Sequence, residues 1–447
     1  MSKRNFSRFA MLIVLVVLSL GAVLPSAAQA VPQSDPSAPI RVWVDAERAR
    51  QVQAFIEANP DKASLIEIIN EPLGANVQQR MLLYNNIGGN WPDVIFEDPS
   101  TWRTLNTPAF DFFPADLRPY IPQEVLDQFY PTANDPCIAP DGSLICLRND
   151  IAPEVMFYNV PAMAEFGYEL PTTWEEYAAL AQQVAEEHPG YTMGQLDGWE
   201  PQLLWYYHSE CPIMQPLSAS SFLVNVLHPN CQRMSEMLDT VNALGVLDRQ
   251  GTFSAGYGQI WEQGNWLIHF GPSWLPDFVI KGLYLNAEDP DNLGTVGVAL
   301  LPNWADQTER TTSNVGGGSY AMSRHTLNAD LAAELILFVS TNPDVGAAQA
   351  ATPAYMPSAA GWGASLLTRV PLLASDPDPW TVISEAASGV LADGAVEGPP
   401  RSSPVFSPFF TDIAAGNRTV VSISEELQAG LVQAVTTAGF EAVTDEP

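Results

Sequence analysis

The sequence predicts an α/β protein of two domains, and three observations carry the prediction. Residues 40–96 read as strand, amphipathic helix, strand, helix and strand at the spacing of parallel layering. Residues 157–187 run from an extended apolar stretch through a short helical turn into a longer amphipathic helix. The 447-residue chain is long enough for two domains of ~100–200 residues each.

The chain opens on the pattern of an export signal. Lys3, Arg4 and Arg8 form a basic region, Ala10 to Val23 an apolar one, and Ala28-Gln29-Ala30 a small-x-small cleavage site. The alternative is a membrane anchor, but the apolar run is short against the ~20 residues a bilayer span needs. Cleavage after Ala30 is expected. No cysteine lies nearby, so a lipid-modified terminus is not. Residues 31–39, rich in Pro and Ser, form a flexible leader.

Ile40 to Val44 is the first strand, followed by a helix to Ala58 with Val52, Phe55 and Ile56 on one face. Ser64 to Ile69 is a strand, Ala75 to Ile87 a helix ended by Gly88-Gly89, and Asp93 to Phe96 a strand. Ligands of such sheets sit beyond the carboxyl ends of the strands, which puts Trp43 to Asp45 and Glu97 to Trp102 on one rim. Ser143 to Val160 is extended for longer than one strand needs and is expected to pass between lobes. Pro171 to Glu176 then opens a helix through Val184. Thr172 or Thr173 caps it, with Glu175 and Glu176 placed to close a capping box. Trp174, Tyr177, Ala178, Ala181 and Val184 share its buried face.

A short strand follows near 191–195, and residues 200–207 are expected to be helical. Met234 to Leu244 marks another helix, and 255–263 a short one. Residues 265–270, 296–301 and 319–323 read as strands, and Asn328 caps a helix to Thr341. From 359 to 440 the chain is mainly helical, with Pro-rich breaks at 376–379 and 399–408.

Composition narrows the function classes. Without Lys3, Arg4 and Arg8 the formal charge goes from −32 to −35, and Lys62 and Lys281 are the lysines that remain. No basic stripe exists for phosphate backbones or acidic lipids, so nucleic acid is excluded as a partner. Four cysteines in an exported chain read as two disulfides, for which three pairings exist. Cys137 and Cys146 flank a Pro140-Asp141-Gly142 turn, and Cys211 and Cys231 bracket a Pro-rich irregular segment. The local pairing, 137 with 146 and 211 with 231, is therefore predicted. The cysteine spacing fits no metal motif, and no cofactor is implied.

Histidines 188, 208, 228, 269 and 325 are scattered, without a zinc-protease pair, and no Gly-x-Ser-x-Gly elbow occurs. Gly316-Gly317-Gly318 lacks the lysine of a phosphate loop and precedes a strand, as a hinge or tight turn does. A glycosidase built on two carboxylates stays open, since such a pair comes from anywhere in a chain. What the chain does place in loops is aromatic residues beside carboxylates: Trp43 with Asp45, Glu97-Asp98 with Trp102, Trp199-Glu200, and Trp274 after Gly271-Pro272. Indoles stack on the C–H faces of sugars and carboxylates accept from their hydroxyls. The competing reading for each tryptophan, Trp91 and Trp362 above all, is core packing.

Phe157-Tyr158-Asn159, a short helix, then Gly-x-x-x-Pro-x-Thr-Trp-Glu-Glu resembles the family 1 extracellular solute-binding proteins of ABC importers, the maltose-binding-protein-like group. Trp91 to Ile95, Trp261 to Trp274, Val296 to Pro302 and Gly316 to Ser323 resemble further segments of that family in the same order. The resemblance implies a two-lobed periplasmic-binding-protein fold, type II-like, with interlobe crossovers and a helical C-terminal tail. Mapped here, one lobe is 40–147 plus 318–352 and the other 148–317 plus 353–447. Crossovers then fall near 147–151, 315–319 and 352–358. By the same resemblance Trp274 corresponds to a sugar-stacking tryptophan, Glu200 to a carboxylate of the second lobe, and Asp150 to a ligand carboxylate at the first crossover. Glu97 falls where a stacking tryptophan is found in the family, and Trp102 is the substitute candidate.

The expected ligand set is thus Trp43, Asp45, Glu97, Asp98, Trp102, Asp150, Trp199, Glu200 and Trp274. The expected function is a monomeric, periplasmic or extracellular binding protein, without enzymatic activity, that captures a carbohydrate and delivers it to an ABC permease. The alternatives are the same fold binding a polyamine, peptide or other solute, and a secreted carbohydrate-active enzyme with two cleft carboxylates.

Overall fold

The structure is a computed structural model. It describes residues 31–71, 74, 77–196, 202–218, 220–251, 254, 256–286, 295–308, 310–391 and 401–444. The export signal at 1–30, and Trp199 and Glu200, lie outside the described residues.

The chain begins β1 (Ile40–Val44), α1 (Ala46–Ala58), β2 (Ile66–Asn70), α2 (Val77–Ile87) and β3 (Val94–Glu97), the alternation read from the sequence. β1 pairs in parallel with β2 and β3, with Trp43 opposite both Ile69 and Ile95. Ile40, Val42, Trp43 and Val44 are all buried because a central parallel strand is covered on both faces. α3 (Pro99–Leu105) and α4 (Gln123–Leu126) follow, and the chain then runs extended through β4 (Leu147–Arg148), β5 (Asp150–Ile151) and β6 (Glu154–Asn159).

After β6 come α5 (Val160–Phe166) and α6 (Trp174–Glu187). Asn159 caps α5 and Gly167, at φ 71°, ends it in the left-handed conformation. Of the two threonines, Thr173 is the cap of α6: its hydroxyl accepts from the Glu176 N–H at 3.1 Å while the Glu176 carboxylate accepts from the Thr173 N–H. Thr172 adds a further bond to the same carboxylate.

The rest of the chain is β7 (Gln215–Ser218), β8 (Ser221–Leu223), α7 (Pro229–Ala243), α8 (Tyr257–Gln263), β9 (Ile268–Pro272), α9 (Lys281–Asn286), β10 (Val296–Ala299), β11 (Ser319–Met322), α10 (Ala329–Thr341), α11 (Pro343–Ala348), β12 (Thr352–Pro353), α12 (Met356–Arg369), α13 (Pro379–Ser388), α14 (Ser403–Ala414), α15 (Ser424–Thr437) and β13 (Glu441–Val443). Two short sections differ from the sequence reading. Residues 191–195 form no strand; Thr192 and Gln195 make isolated bridges to Trp266 and Asp248. The sheet of β7, β8 and β13 was not foreseen, because its strands are three or four residues long and carry Pro216 and several serines instead of β-branched residues.

Two larger sheets organise the molecule. The first has the order β2-β1-β3-β11-β4, with β11 antiparallel to its neighbours. The second, β10-β6-β9, is antiparallel throughout. Alternate residues of β6 point to opposite sides of it. Met156 and Tyr158 join a core with Trp174, Tyr177, Trp205 and Phe270, whereas Val155 and Phe157 join one with Trp261, Trp266 and Trp362. The first sheet has its own core, containing Phe55, Trp102, Tyr320 and Leu335. Ala354, Ala359 and Ala387, expected in the second lobe, pack in this first core, because β12 pairs back onto β5 and α12 leans on α11.

Three connecting segments are tied together between the sheets. β5 pairs with β12, and the Asn149 N–H donates to the Gly318 carbonyl at 3.0 Å. Gln51, from α1, donates to Asn149 (3.3 Å) and Gln349 (3.1 Å) and accepts from the Tyr320 hydroxyl (2.9 Å). Gly316 and Gly317 are at φ 94° and 77°, and a Cβ on Gly317 would lie 2.6 Å from the Asp150 carbonyl oxygen. Left-handed backbone and close approach therefore both require glycine there. Both predicted disulfides are formed, with Cα–Cα distances of 4.9 Å (Cys137–Cys146) and 4.8 Å (Cys211–Cys231). No described helix is long and apolar enough to cross a membrane.

Candidate functional site

A cavity of about 670 Å3 opens where the ends of the two large sheets and the glycine segment meet. Four of the expected ligand residues line it: Glu97, Asp98, Asp150 and Trp274.

Glu97 is the last residue of β3, at the carboxyl end of a parallel strand. Its carboxylate accepts from the backbone N–H of Gly74 at 2.8 Å. Burial pushes its pKa up to about 7, against the lowering effect of the Gly74 and Asp98 N–H groups and with further upward pressure from the Asp98 and Asp45 charges. Near neutral pH it therefore both donates and accepts. Asp98 caps α3, one oxygen accepting from the Ser100 N–H at 2.8 Å.

Asp150 is fully buried at the first connecting segment. It is ion-paired with Arg48 of α1 and accepts from the Gly318 N–H. Burial opposes the charge on Arg48, but Asp150, Glu47 and Asp45 outweigh it and hold its pKa above the ordinary guanidinium value. The Arg48 guanidinium also lies 4.3 Å from the centre of the Phe96 ring. This places Asp150 as an anchor of the connecting segments as well as part of the cavity lining.

Trp274 follows β9. Its indole N–H donates to the Val315 carbonyl at 2.9 Å, and its ring stands edge-on to Phe278 at 6.0 Å. With Phe96, Val77 and Val279 it makes the cavity largely apolar.

Trp43, Asp45 and Trp102 are not in the cavity lining. Trp102 is fully buried under the first sheet, its indole N–H on the Ser319 hydroxyl at 2.7 Å, because the inward face of α3 carries it beneath β11. It is no substitute for a stacking ring. Trp43 packs against Tyr84 and under the Arg80 guanidinium, on the helix-covered face of β1. Asp45 caps α1, accepting from the Glu47 and Arg48 N–H groups at 2.9 and 2.8 Å, and its charge goes to Arg48.

The sequence reading missed several lining residues. Arg48 carried a weak signal, three residues after the capping Asp45. Phe278 and Val279 follow the Trp274 motif, and Arg401 had no signal. Arg401 lies two residues before α14, which packs in the second-sheet core, yet it donates to the hydroxyl of Ser100 on α3 at 3.1 Å. It thereby links the two sides of the cavity.

A family model described as bacterial extracellular solute-binding protein matches residues 50–366. A search of curated proteins finds no significant match. Solved structures similar to this one include the sugar-binding protein MalE from Xanthomonas citri, with 16% identity, TM-score 0.71 and coverage of 90% of this chain and 98% of that one. The galacto-N-biose-/lacto-N-biose I-binding protein of an ABC transporter from Bifidobacterium longum gives 16% identity, TM-score 0.71 and coverage of 92% and 100%. The cyclic alpha-maltosyl-1,6-maltose binding protein from Arthrobacter globiformis gives 18%, 0.66, 90% and 98%. At these identities the likeness is one of fold, the two-lobed periplasmic-binding-protein architecture. The family match spans well over half of the sequence, and the chain belongs to the bacterial extracellular solute-binding proteins.

Proposed function

We propose that the protein is exported, with its signal cleaved after Ala30, and that it captures a neutral carbohydrate in the cavity between its sheets and hands it to an ABC permease. The observation that carries this reading is the cavity chemistry. One face offers the ring of Trp274, and the other offers Glu97 and Asp98, already oriented by backbone N–H groups. A sugar presents C–H faces to the first and hydroxyls to the second. The two lobes, each built on one of the large sheets, close when one ligand touches both sides, which is a population shift driven by contacts available only in the closed state. The named ligands of the solved structures similar in fold, lacto-N-biose and maltotetraose among them, support the class of solute. No catalytic step is proposed for Asp98 or Glu97.

The test is a thermal-shift and calorimetric screen of the purified protein against neutral oligosaccharides and polyamines, with chromatography of the sugars afterwards. The expected result is stabilisation by a neutral oligosaccharide recovered unchanged, ~2.7 kcal/mol at a hundredfold excess over Kd. Stabilisation by polyamines alone would transfer the site to cations. Released product would make the protein an enzyme.

A further inference from the structure

A second cavity, of about 690 Å3, adjoins the first. The two share Phe278, and neighbouring residues divide between them: Glu47 and Ala350 line the second, Arg48 and Ala351 the first. Its lining joins α1, α10 and α11 on one side to Asp277, Phe278 and Lys281 on the other, with Arg369 at the end of α12.

Its charges are unlike those of the molecule. The chain is strongly acidic and has sixteen basic residues after position 30, yet three of them, Arg50, Lys281 and Arg369, line this one chamber. The acids that face them are Glu47, Asp277 and Asp344. Glu47 is occupied, by Arg48 at 3.2 Å and by the Ala350 N–H at 2.9 Å. Asp277 is divided between Lys281 at 3.3 Å and Arg369 at 3.2 Å. Asp344 is exposed and makes no ion pair among the described residues.

Donors are left over. Arg50 is exposed and has no partner among the described residues. The Arg369 guanidinium lies 4.9 Å from the centre of the Trp362 ring, and one of its terminal nitrogens is buried without a hydrogen-bond partner, as is the side-chain nitrogen of Gln349, a residue only 4% exposed that lines the same chamber. Burial holds the Arg369 pKa below the ordinary guanidinium value, although Asp277 and Glu47 pull it up. Beside these donors lie apolar surfaces: Phe338, Val345, and Phe278, which is 49% exposed. Buried donors without acceptors are uncommon in a folded protein, and a water or a ligand in the adjoining chamber is one way to supply the missing acceptor.

We propose that this chamber is a second binding site, for a small organic oxyanion: a carboxylate or phosphate ester whose head meets Arg50 and Arg369 and whose body lies on Phe278 and Phe338. Guanidinium groups suit such heads because they donate two parallel bonds to carboxylate or phosphate oxygens. Apart from the shared Phe278 the site stands on its own residues, and it does not require that the first cavity hold a sugar.

The experiment is calorimetric titration of the purified protein at constant pH and ionic strength with glucuronate, glucose 6-phosphate, inorganic sulfate and uncharged glucose. Arg50→Gln is the test variant, since Arg50 makes no hydrogen bond or ion pair among the described residues, and Glu97→Gln is the control for the first cavity, because Glu97 lines that cavity and not the second. The expected result is saturable binding of glucuronate or glucose 6-phosphate, weakened about tenfold or more by Arg50→Gln, the scale of one charge-assisted hydrogen bond, and unchanged by Glu97→Gln. Preference between those two sugars identifies the head group as carboxylate or phosphate. Sulfate binding that Arg50→Gln weakens supports the oxyanion site and shows that the body is not read. The proposal is overturned if no oxyanion saturates, if glucose binds as well as glucuronate in the same chamber, or if Arg50→Gln leaves affinity unchanged.

Discussion

The two sides of the main cavity are built by opposite means. On the side of the first sheet, polar groups are held mainly by backbone N–H groups: Glu97 by Gly74, Asp98 by Ser100, and Asp150 by Gly318, with the Arg48 guanidinium added. On the side of the second sheet the lining is mainly rings and branched chains, Trp274, Phe278 and Val279, with the indole bonded to Val315 and Arg401 reaching across to Ser100. Hydrogen bonding and stacking therefore come from separately packed cores. Under the proposed function, a ligand that needs both draws the two sides together. The division also separates what each side risks on mutation: the polar side carries the connecting segments, and the apolar side carries the ring.

Substitutions sharpen that contrast. Trp102→Ala empties a fully buried site beneath the first sheet and leaves the Ser319 hydroxyl with its bond to the Glu97 carbonyl alone; we expect a loss of ~3–5 kcal/mol in urea unfolding. In conditions where the variant stays folded, ligand affinity stays near that of the parent. A large affinity loss with intact stability would return Trp102 to the site. Asp150→Ala leaves Arg48 buried beside Asp45 and Glu47 alone, and is expected to lower unfolding stability by about 3 kcal/mol. It should also alter closure, which small-angle scattering with and without ligand would register.

Glu97 adds a pH signature to the polar side. Its folded pKa, about 7, is above its unfolded value of 4.5, so between those values the folded state binds the extra proton. Its contribution is fully present below pH 4.5 and is lost as pH rises through 7. From pH 5 to pH 8 the parent should lose roughly 2–3 kcal/mol relative to Glu97→Gln in parallel urea melts. Parallel stability curves for the two proteins would show that Glu97 titrates normally.

Legibility in the sequence followed locality. The strands and helices of 40–97 and the cap at Thr173 are written in neighbouring residues, and the structure places them within a few positions of where the pattern does. Glu97 and Asp98 were findable because the end of a parallel strand is a place that chain order defines. Arg48 was not, since its partner Asp150 lies 102 residues away. Aromatic residues next to carboxylates failed as a site signal at Trp43 and Trp102 for the same reason. Whether a ring near a strand end faces the cavity or the core depends on which face a distant strand, here β11, comes to cover. Composition indicated an acidic molecule and gave no hint that Arg50, Lys281 and Arg369 would be neighbours.

Trp274 is the residue at which the apolar side is broken most directly. Trp274→Ala removes the ring and its bond to Val315, and carbohydrate binding is expected to weaken by ~1–3 kcal/mol in calorimetry. Part of that loss would come from the connecting segment that Val315 begins, because the indole N–H ties the ring to it. Trp274→Phe separates the two contributions: it keeps an aromatic face and removes the N–H. If stacking dominates, the phenylalanine variant stays much closer to the parent than the alanine variant. If both variants weaken binding equally, the bond to Val315 carries the effect, and Trp274 acts by positioning the hinge segment instead of by touching the sugar.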